Sequence, residues 1–258
     1  ILTMIERIQT ENRPHGTICV AFTPDEEIGM GAEHFNLDQF GAEYAYTLDG
    51  DSEGEIQYEN FNACKAEFEI RGFNVHPGEG KDTMINASLV AIEINNCLPS
   101  METPRGTEDY EGFYHLISMQ GEVGEAKLNY IVRDHDKNGF EERKKTLRLI
   151  EKNLNAKWGE GTVTLKITDQ YLNMKEIVEE HMHLIDHAKK ACEAAGVAPL
   201  ILPIRGGTDG CQLSFKGLPC PNLGTGGHAF HGPYEHISVE GMEKSVELLL
   251  ALIQEYTK

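Results

Sequence analysis

The sequence predicts an α/β fold that is interrupted by an inserted α+β domain. Hydrophobic runs such as TICVAF (residues 17–22) and the strand ending in TLDGD are typical of buried strands, and they alternate with helical patterns near both ends of the chain. Between them, residues 64–171 follow the β-α-β-β-α-β order of a ferredoxin-like layer. We therefore assign 1–63 and 172–258 to one domain with a mixed sheet flanked by helices, and 64–171 to the insertion.

The elements of the first domain are predicted in order along the chain. Residues 2–9 are expected to be helical, TICVAF a strand, residues 30–36 a helix, and AEYAYTLDGD a second strand. After the insertion, EIVEEHMHLIDHAKKACEAAG predicts one long helix that stops at Gly196, and Ser238 is expected to cap a final helix.

The insertion alternates strands with amphipathic helices. KAEFEIRGF and TVTLKITDQYL alternate like half-solvated strands, and the stretch HLISMQGEVGEAKLNYIVR predicts a hairpin around residues 121–124. DTMINASLVAIEINNCL and FEERKKTLRLIEKNLNAKW repeat their apolar residues at helical spacing.

Composition narrows the class of partner. The 258 residues carry 23 basic and 42 acidic side chains, a formal charge of -19, which argues against nucleic acid as a partner. The longest apolar run, LLLALI, is far shorter than the ~20 residues of a membrane span, so no membrane partner is expected. Scattered cysteines without C-x-x-C pairs favour a reducing cytoplasm.

Three consecutive acids follow the first predicted strand in TPDEEIGMGA. They are either solvated residues at a helix N-terminus or the acids of a reactive site, and acids just beyond a buried strand lie where open α/β sheets place such sites. Asp49 and Asp51 end the next predicted strand, so Glu27 and Asp49 are expected to share one crevice, although DGD alone is commonly a turn.

A glycine-rich loop, NLGTGGHAFHGPYEH, adds His228, His231 and His236 before the last helix. Imidazole and carboxylates together are ligands of hydrolytic zinc sites. If Glu27, Asp49 and His231 converge, one neighbouring glutamate remains free to take a proton from water.

Other polar residues have less specific signals. Arg205, in IRGGTDG, is either a structural turn residue or a group that binds a carboxylate. His76 and Arg133 in the insertion look like surface residues on their own. His183 and His187 are four residues apart on a predicted helix, a spacing that can chelate a metal ion. The Glu and Lys residues around them favour the alternative that both imidazoles are solvated.

The longer motifs resemble a known family. TPDEEIGMGA, YTLDGD, FNACKAEFEIRGFNVHPG, YIVRDHD, PIRGGTDGCQLSFKGLPCPNLGTGG and HGPYEHISVEGMEK are similar to the aminotripeptidase branch of the M20 zinc peptidases, in order and over essentially the whole chain. The resemblance implies a catalytic domain with an inserted lid or dimerisation domain, and two zinc ions in the complete enzyme. It also implies release of the N-terminal residue of tripeptides, and it leaves homodimerisation open.

The resemblance also implies roles for individual residues. Glu26 is expected to be the general base, and Glu27, Asp49 and His231 to be zinc ligands. His76 is expected to stabilise the oxyanion. By the same resemblance, Arg133 and Arg205 are expected to bind the C-terminal carboxylate of a small peptide substrate.

One part of the family pattern is absent. The family takes a histidine and two aspartates from segments upstream of TPDEE, and only 22 residues precede Thr23 here. We therefore expect a C-terminal portion that binds metal poorly and exposes apolar surface beside the sheet. Two alternatives stay open: a noncatalytic remnant that binds peptides, and a zinc hydrolase acting on dipeptides or N-acyl amino acids.

Overall fold

Helices and strands alternate in the computed structural model, which describes residues 1–257. In chain order they are α1 (Leu2–Thr10), α2 (Leu37–Phe40), β1 (Thr47–Gly50), β2 (Glu55–Gln57), β3 (Asn62–Arg71), α3 (Ala87–Asn96), β4 (Phe113–Gly121), β5 (Glu125–Asp134), α4 (Lys137–Trp158), β6 (Val163–Tyr171), α5 (Lys175–Val178), α6 (His183–Ala194), β7 (Leu200–Ile201), α7 (Asp209–Phe215), β8 (Asn222–Gly224), β9 (Gly227–His228), β10 (His236–Ile237) and α8 (Val239–Glu255). Short 3-10 turns cover Glu26–Ile28, Pro77–Glu79 and Glu179–His181.

The chain divides into two units. The first unit contains Ile1–Asn60 and the residues from Asn173 onward, and the second contains Phe61–Leu172. Each unit has its own sheet and its own apolar core.

The second unit contains the predicted β-α-β-β-α-β order. Its sheet has the strand order β4-β5-β3-β6, and all three pairings are antiparallel. The hairpin predicted around residues 121–124 is confirmed, because β4 ends at Gly121 and β5 begins at Glu125. This strand order is that of a ferredoxin-like sheet.

The core of the second unit follows the two periodicities of the sequence. Along β3, Ala66, Phe68 and Ile70 are buried, whereas the side chains between them are less buried. The helices present apolar faces to these strands, and their buried residues recur at helical spacing: Ala87, Val90, Ala91 and Ile94 on α3, with Phe140, Leu147, Ile150 and Leu154 on α4. Apolar residues at every second position of the strand and at helical spacing in the two helices thus meet in one shared core.

The first unit is built on a mixed sheet with the strand order β1-β8-β2-β7. Strands β1 and β8 are parallel, β2 and β7 are parallel, and β2 and β8 are antiparallel. Helices pack beside this sheet, with Met4 and Ile8 of α1 against Leu249 and Leu250 of α8. Ser238 caps α8 as predicted, since its hydroxyl accepts a hydrogen bond from the Gly241 amide at 2.9 Å.

The strand predicted for TICVAF is wrong. Residues 17–22 have no strand assignment, although they and β1 line a common cavity of about 870 Å³. In the described sheet β1 is an edge strand, with β8 on one side only. A β-branched run favours extended backbone, but a strand also needs a hydrogen-bonding neighbour, and this segment has none in the ladder.

Two helix predictions are also corrected. Residues 31–34 form turns, and the helix begins only at Leu37, where the Asn36 side chain caps it by accepting a hydrogen bond from the Gln39 amide. The long helix expected before Gly196 is interrupted by the 3-10 turn Glu179–His181, which separates α5 from α6. In both places the helical spacing of the sequence extends beyond the hydrogen-bonded helix.

No helix within residues 1–257 combines the length and the apolar character that crossing a membrane requires.

Candidate functional site

The acid motif and the end of β1 line the same cavity in the first unit. Glu26, Glu27 and Asp49 are among the residues around this space of about 870 Å³. Apolar side chains form much of the rest of the wall, including Leu48 and Leu213. Carboxylates in such surroundings lose hydration, so their protonation depends strongly on neighbouring charges.

Backbone conformation is unusual at two of the motifs. Asp25 has φ 63° directly before Glu26, and His231 has φ 59°. The left-handed region costs energy for residues with a Cβ atom, and such residues concentrate at functional sites where the surrounding structure holds them. The two motifs singled out from the sequence therefore share a strained backbone.

Glu27 and His231 are brought into contact. The Nε2 atom of His231 lies 3.4 Å from Oε2 of Glu27, and both side chains are largely exposed. The carboxylate of Glu235 accepts a hydrogen bond from the His231 amide at 2.9 Å, which supports the strained loop. The pair expected to bind one metal ion therefore lies together.

Glu26 has a different environment from its neighbour. Partial burial, followed by the negative charges of Asp49, Asp209 and Glu27, raises the pKa of Glu26 to about 7. Its carboxyl group therefore exchanges a proton near neutral pH, as a general base or acid must do.

Asp49 lies at an irregularity of β1. The register between β1 and β8 shifts between Leu48 and Gly50, and the side chain of Asn222 accepts a hydrogen bond from the Asp49 amide at 3.1 Å. Asn222 also accepts from the Thr47 hydroxyl at 2.9 Å and donates to Gln57 at 2.6 Å. A buried asparagine thus holds the backbone of Asp49, and its only sequence signal is a polar residue within a buried strand.

The carboxyl group of Asp49 is influenced by the same charges. Partial burial raises the pKa of Asp49, and the charges of Glu27, Asp209 and Asp51 raise it further. The cavity therefore concentrates negative charge that a cation would offset.

Asp209 is a member of this group that the sequence did not reveal. It is 4% exposed, and neither carboxylate oxygen has a hydrogen-bond partner. An acid in the first turn of a helix ordinarily indicates a solvated position, so the IRGGTDG motif gives no signal of its burial.

Helix α7 holds the backbone that follows the acid motif. Gln212 donates a hydrogen bond to the Gly29 carbonyl at 2.9 Å, and the Lys216 ammonium donates to the Glu33 carbonyl at 2.7 Å and to the carbonyl of Ala32. Leu213, also on α7, packs with the buried Ala32. The position of Glu26 and Glu27 therefore depends on a helix that lies far away in the sequence.

The remaining predicted residues, Arg205, His76 and Arg133, are not among those that line this cavity. Arg205 is half-buried in the loop between β7 and α7. In the second unit, His76 is exposed and its Nδ1 atom accepts a hydrogen bond from the Gly78 amide at 3.2 Å. Arg133 is at the end of β5, with its guanidinium carbon 5.8 Å from the ring centre of Tyr171. Their roles in binding substrate stay predictions.

The rings of His181, His183 and His187 form a cluster. His183 and His187 lie 5.9 Å apart between ring centres, and His187 is 4.7 Å from the ring of Tyr256. Burial lowers the pKa of His187. The expectation of simple solvation is therefore wrong, because α8 covers this part of α6.

The donor set suits a divalent cation in its chemistry. Carboxylates and imidazole are the ligands of hydrolytic zinc sites, and the unpartnered carboxylate of Asp209 adds negative charge beside them. Within residues 1–257, however, no three His, Cys, Asp or Glu side chains come close enough to hold a metal ion. The residues fit part of a metal centre, with Glu27 and His231 as its closest pair.

Comparison with known proteins agrees with the resemblance in the motifs. Residues 1–255 match the model of "Peptidase family M20/M25/M40". The chain is 52% identical to Peptidase T of Halothermothrix orenii over 99% of this chain and 63% of that protein. It is 56% identical to Peptidase T of Desulfitobacterium hafniense over 95% of this chain and 60% of that protein. The chain thus spans less than two thirds of the length of these relatives.

Solved structures support the same fold. The aminopeptidase PepT of Bacillus cereus has a TM-score of 0.85 and 25% identity, covering 99% of this chain and 68% of that one. A tripeptidase of Staphylococcus aureus has a TM-score of 0.87 at 20% identity, with the same coverage. Because the family model covers nearly every residue, this chain belongs to peptidase family M20/M25/M40.

Proposed function

We propose that the protein containing this chain is a zinc-dependent aminopeptidase that releases the N-terminal residue of tripeptides. The observation that carries this proposal is the pairing of a glutamate whose pKa is about 7 with an adjacent glutamate that contacts a histidine. Membership of the M20 family and the similarity to proteins named Peptidase T support a peptidase.

Each residue of the acid motif has one part in the proposal. Glu27 and His231 hold one metal ion and Asp49 holds another. Glu26 accepts the proton of the attacking water and passes it to the leaving amine, which requires a pKa near the working pH. When bound, zinc supplies Lewis-acid activation of water and of the peptide carbonyl.

The residues that we propose to contact the substrate are assigned from the resemblance of their motifs to the family. We assign binding of the peptide's C-terminal carboxylate to Arg133 and Arg205, because a guanidinium binds a carboxylate with two parallel hydrogen bonds. His76, an exposed residue, is proposed to stabilise the oxyanion, and residues 64–171 to act as a lid. A fixed position for the carboxylate would limit the length of the peptide.

The metal centre needs more donors than the cavity supplies. Glu27, Asp49 and His231 are three ligands for two zinc ions together, whereas each hydrolytic zinc ion normally has three protein ligands. For two zinc ions, further donors must come from outside this set.

The test is an activity comparison in the protein that carries the chain. With zinc present, we expect hydrolysis of tripeptides to exceed that of dipeptides and acetyl amino acids, and Glu26→Gln to reduce kcat by ~100-fold or more. Asp25→Asn, which removes an adjacent charge, is the matched control. Full tripeptidase activity in Glu26→Gln would contradict the proposal.

A noncatalytic peptide-binding function is the second candidate. It is favoured by the absence of a three-donor cluster within residues 1–257. Calorimetry with a tripeptide, in the presence and absence of zinc, separates the two candidates. Binding that persists without metal favours the noncatalytic function, whereas zinc-dependent binding favours the peptidase.

A further inference from the structure

Asp209 is a buried charge without a partner in the protein. Its side chain is 4% exposed, and neither carboxylate oxygen accepts a hydrogen bond. Even the neighbouring hydroxyl of Thr208 is buried and does not donate to it. Buried carboxylates are normally paired or bound to a metal, because removing an ionised group from water is costly.

The side chain lies beside the acid motif. A Cβ atom added to Gly31 would be 2.2 Å from Oδ2 of Asp209 and 2.5 Å from Oδ1, so the carboxylate packs directly on the backbone of that glycine. Asp209 also lines the cavity together with Glu26, Glu27 and Asp49. Its charge contributes to the raised pKa values of Glu26 and Asp49.

The groups around this carboxylate do not neutralise it. Its charge acts on Glu26 and on Asp49, and Glu27 lines the same cavity. His231, the imidazole of this group, contacts Glu27 instead. The cavity is therefore lined by four carboxylates, Glu26, Glu27, Asp49 and Asp209.

We propose that Asp209 is a positioning residue of the metal centre, whose buried charge is compensated by the cation bound in the cavity rather than by the protein. This inference rests on the proposed metal-dependent function. Both oxygens are buried, so Asp209 acts through its charge and through its contact with Gly31, and Glu27 and Asp49 remain the ligands. Partners outside the ligand shell commonly change metal affinity by ~10–100-fold.

The experiment uses the protein that carries this chain, freed of metal with a chelator; it titrates that protein with ZnCl₂ alone in a calorimeter and records its melting temperature without metal. We expect Asp209→Asn to bind Zn²⁺ at least ~10-fold more weakly than wild type. We also expect its metal-free form to melt at least ~2 °C higher, because an uncompensated charge has been removed. Asp38→Asn is the matched control, since it removes an exposed carboxylate.

Two further variants keep the outcomes distinct. Gly31→Ala retains the charge of Asp209 but places a methyl group against its carboxylate, and it replaces Asp209→Asn if that variant does not fold. Weaker zinc binding in Gly31→Ala supports the inference, and unchanged binding overturns it. Glu27→Gln removes a proposed ligand and tests the metal centre itself.

The outcomes separate this inference from the proposed function. If Glu27→Gln loses zinc binding while Asp209→Asn binds like Asp38→Asn, only the role of Asp209 is overturned. If the wild-type protein that carries the chain binds no zinc, the metal centre is contradicted and the inference with it. A melting temperature lowered by Asp209→Asn with unchanged zinc affinity would mark Asp209 as a purely structural residue.

Discussion

Glu26 and Glu27 are adjacent in the sequence but have opposite environments. Glu26 is partly buried and its pKa is raised to about 7, whereas Glu27 is exposed and contacts His231 at 3.4 Å. The left-handed backbone of Asp25 precedes the short 3-10 turn that separates the two side chains. Glu26 can therefore exchange a proton near neutral pH, and the exposed Glu27 is the residue to which we assign the metal ion in our proposal.

The raised pKa of Glu26 predicts a pH dependence of stability in the metal-free chain. The group has a higher pKa folded than its ordinary value of 4.5, so the folded state binds the proton more tightly and stability is lost as pH rises from about 4.5 to about 7. Because Glu26 is partly exposed, we expect the loss to be ~1–2 kcal/mol. Glu26→Gln should remove it and should be more stable than wild type at pH 8.

The measurement is urea unfolding between pH 4 and pH 8. Glu6→Gln, at an exposed position on α1, is the control and should keep the wild-type profile. Parallel profiles for wild type and Glu26→Gln would show that the folded-state pKa of Glu26 is not raised.

Asn222 supports Asp49 through a buried network. Its side chain makes hydrogen bonds with the Thr47 hydroxyl, the Asp49 amide and the Gln57 side chain. Asn222→Ala should reduce the free energy of unfolding by ~2–4 kcal/mol, because it leaves buried polar groups unpaired. Urea unfolding measures this loss, and the exposed Asn153→Ala should stay within ~0.5 kcal/mol of wild type. Equal stability of the two variants would contradict the network.

At the scale of elements, α7 connects the loop that carries Glu26 and Glu27 to the core. Gln212 and Lys216 bind carbonyl groups of residues 29–33, and Leu213 packs on Ala32 between them. Gln212 and Leu213 lie four and three residues before Lys216, so each of them is close to Lys216 on the surface of the helical turn. The loop that carries Glu26 and Glu27 is thus ordered by a helix that follows nearly two hundred positions later in the chain.

This arrangement predicts the mobility of the loop. Removing both side chains, in Gln212→Ala with Lys216→Ala, should accelerate hydrogen exchange of the Met30 and Glu33 amides by ~10-fold or more. Native-state hydrogen exchange followed by mass spectrometry measures the effect. Lys152→Ala, an exposed lysine on α4, should leave these amides unchanged. Unaltered exchange in the double variant would mean that the loop is ordered by its own turns.

At the scale of the whole molecule, apolar surface is left beside the edge strand β1. The cavity of about 870 Å³ is lined by residues 17–22 and by β1, and Phe22 is 69% exposed. Contiguous apolar surface of this kind is uncommon on proteins that have no partner there. The chain therefore retains an apolar region that its own described residues do not cover.

We expect this region to bind a hydrophobic dye. Under native conditions the fluorescence of anilinonaphthalene sulfonate should rise on mixing with the chain, and Val20→Asp with Phe22→Asp should reduce the rise by at least ~2-fold, because charge disfavours apolar contact. Met101→Asp, at an exposed apolar residue of the second unit, is the control. Fluorescence no higher than that of free dye would contradict the prediction.

Elements with strong local patterns were predictable, and those that depend on distant partners were not. The hairpin between Gly121 and Glu125 and the cap at Ser238 follow from turn and capping chemistry within a few residues. TICVAF has the composition of a strand, but strand formation depends on a neighbour that the run itself cannot provide. The contact between Glu27 and His231 was predicted because their motifs resemble a family, not because their spacing requires it.

The sequence by itself determined the fold class, the family and the motifs that carry the acids and the histidine, since these depend on residue type, periodicity and order along the chain. Only the tertiary structure decided the environment of each side chain. It separated Glu26 from Glu27, buried Asp209 without a partner and placed Asn222 on the backbone of Asp49. The physical reason is that desolvation, charge coupling and buried hydrogen bonds arise between residues distant in sequence, which no local pattern contains.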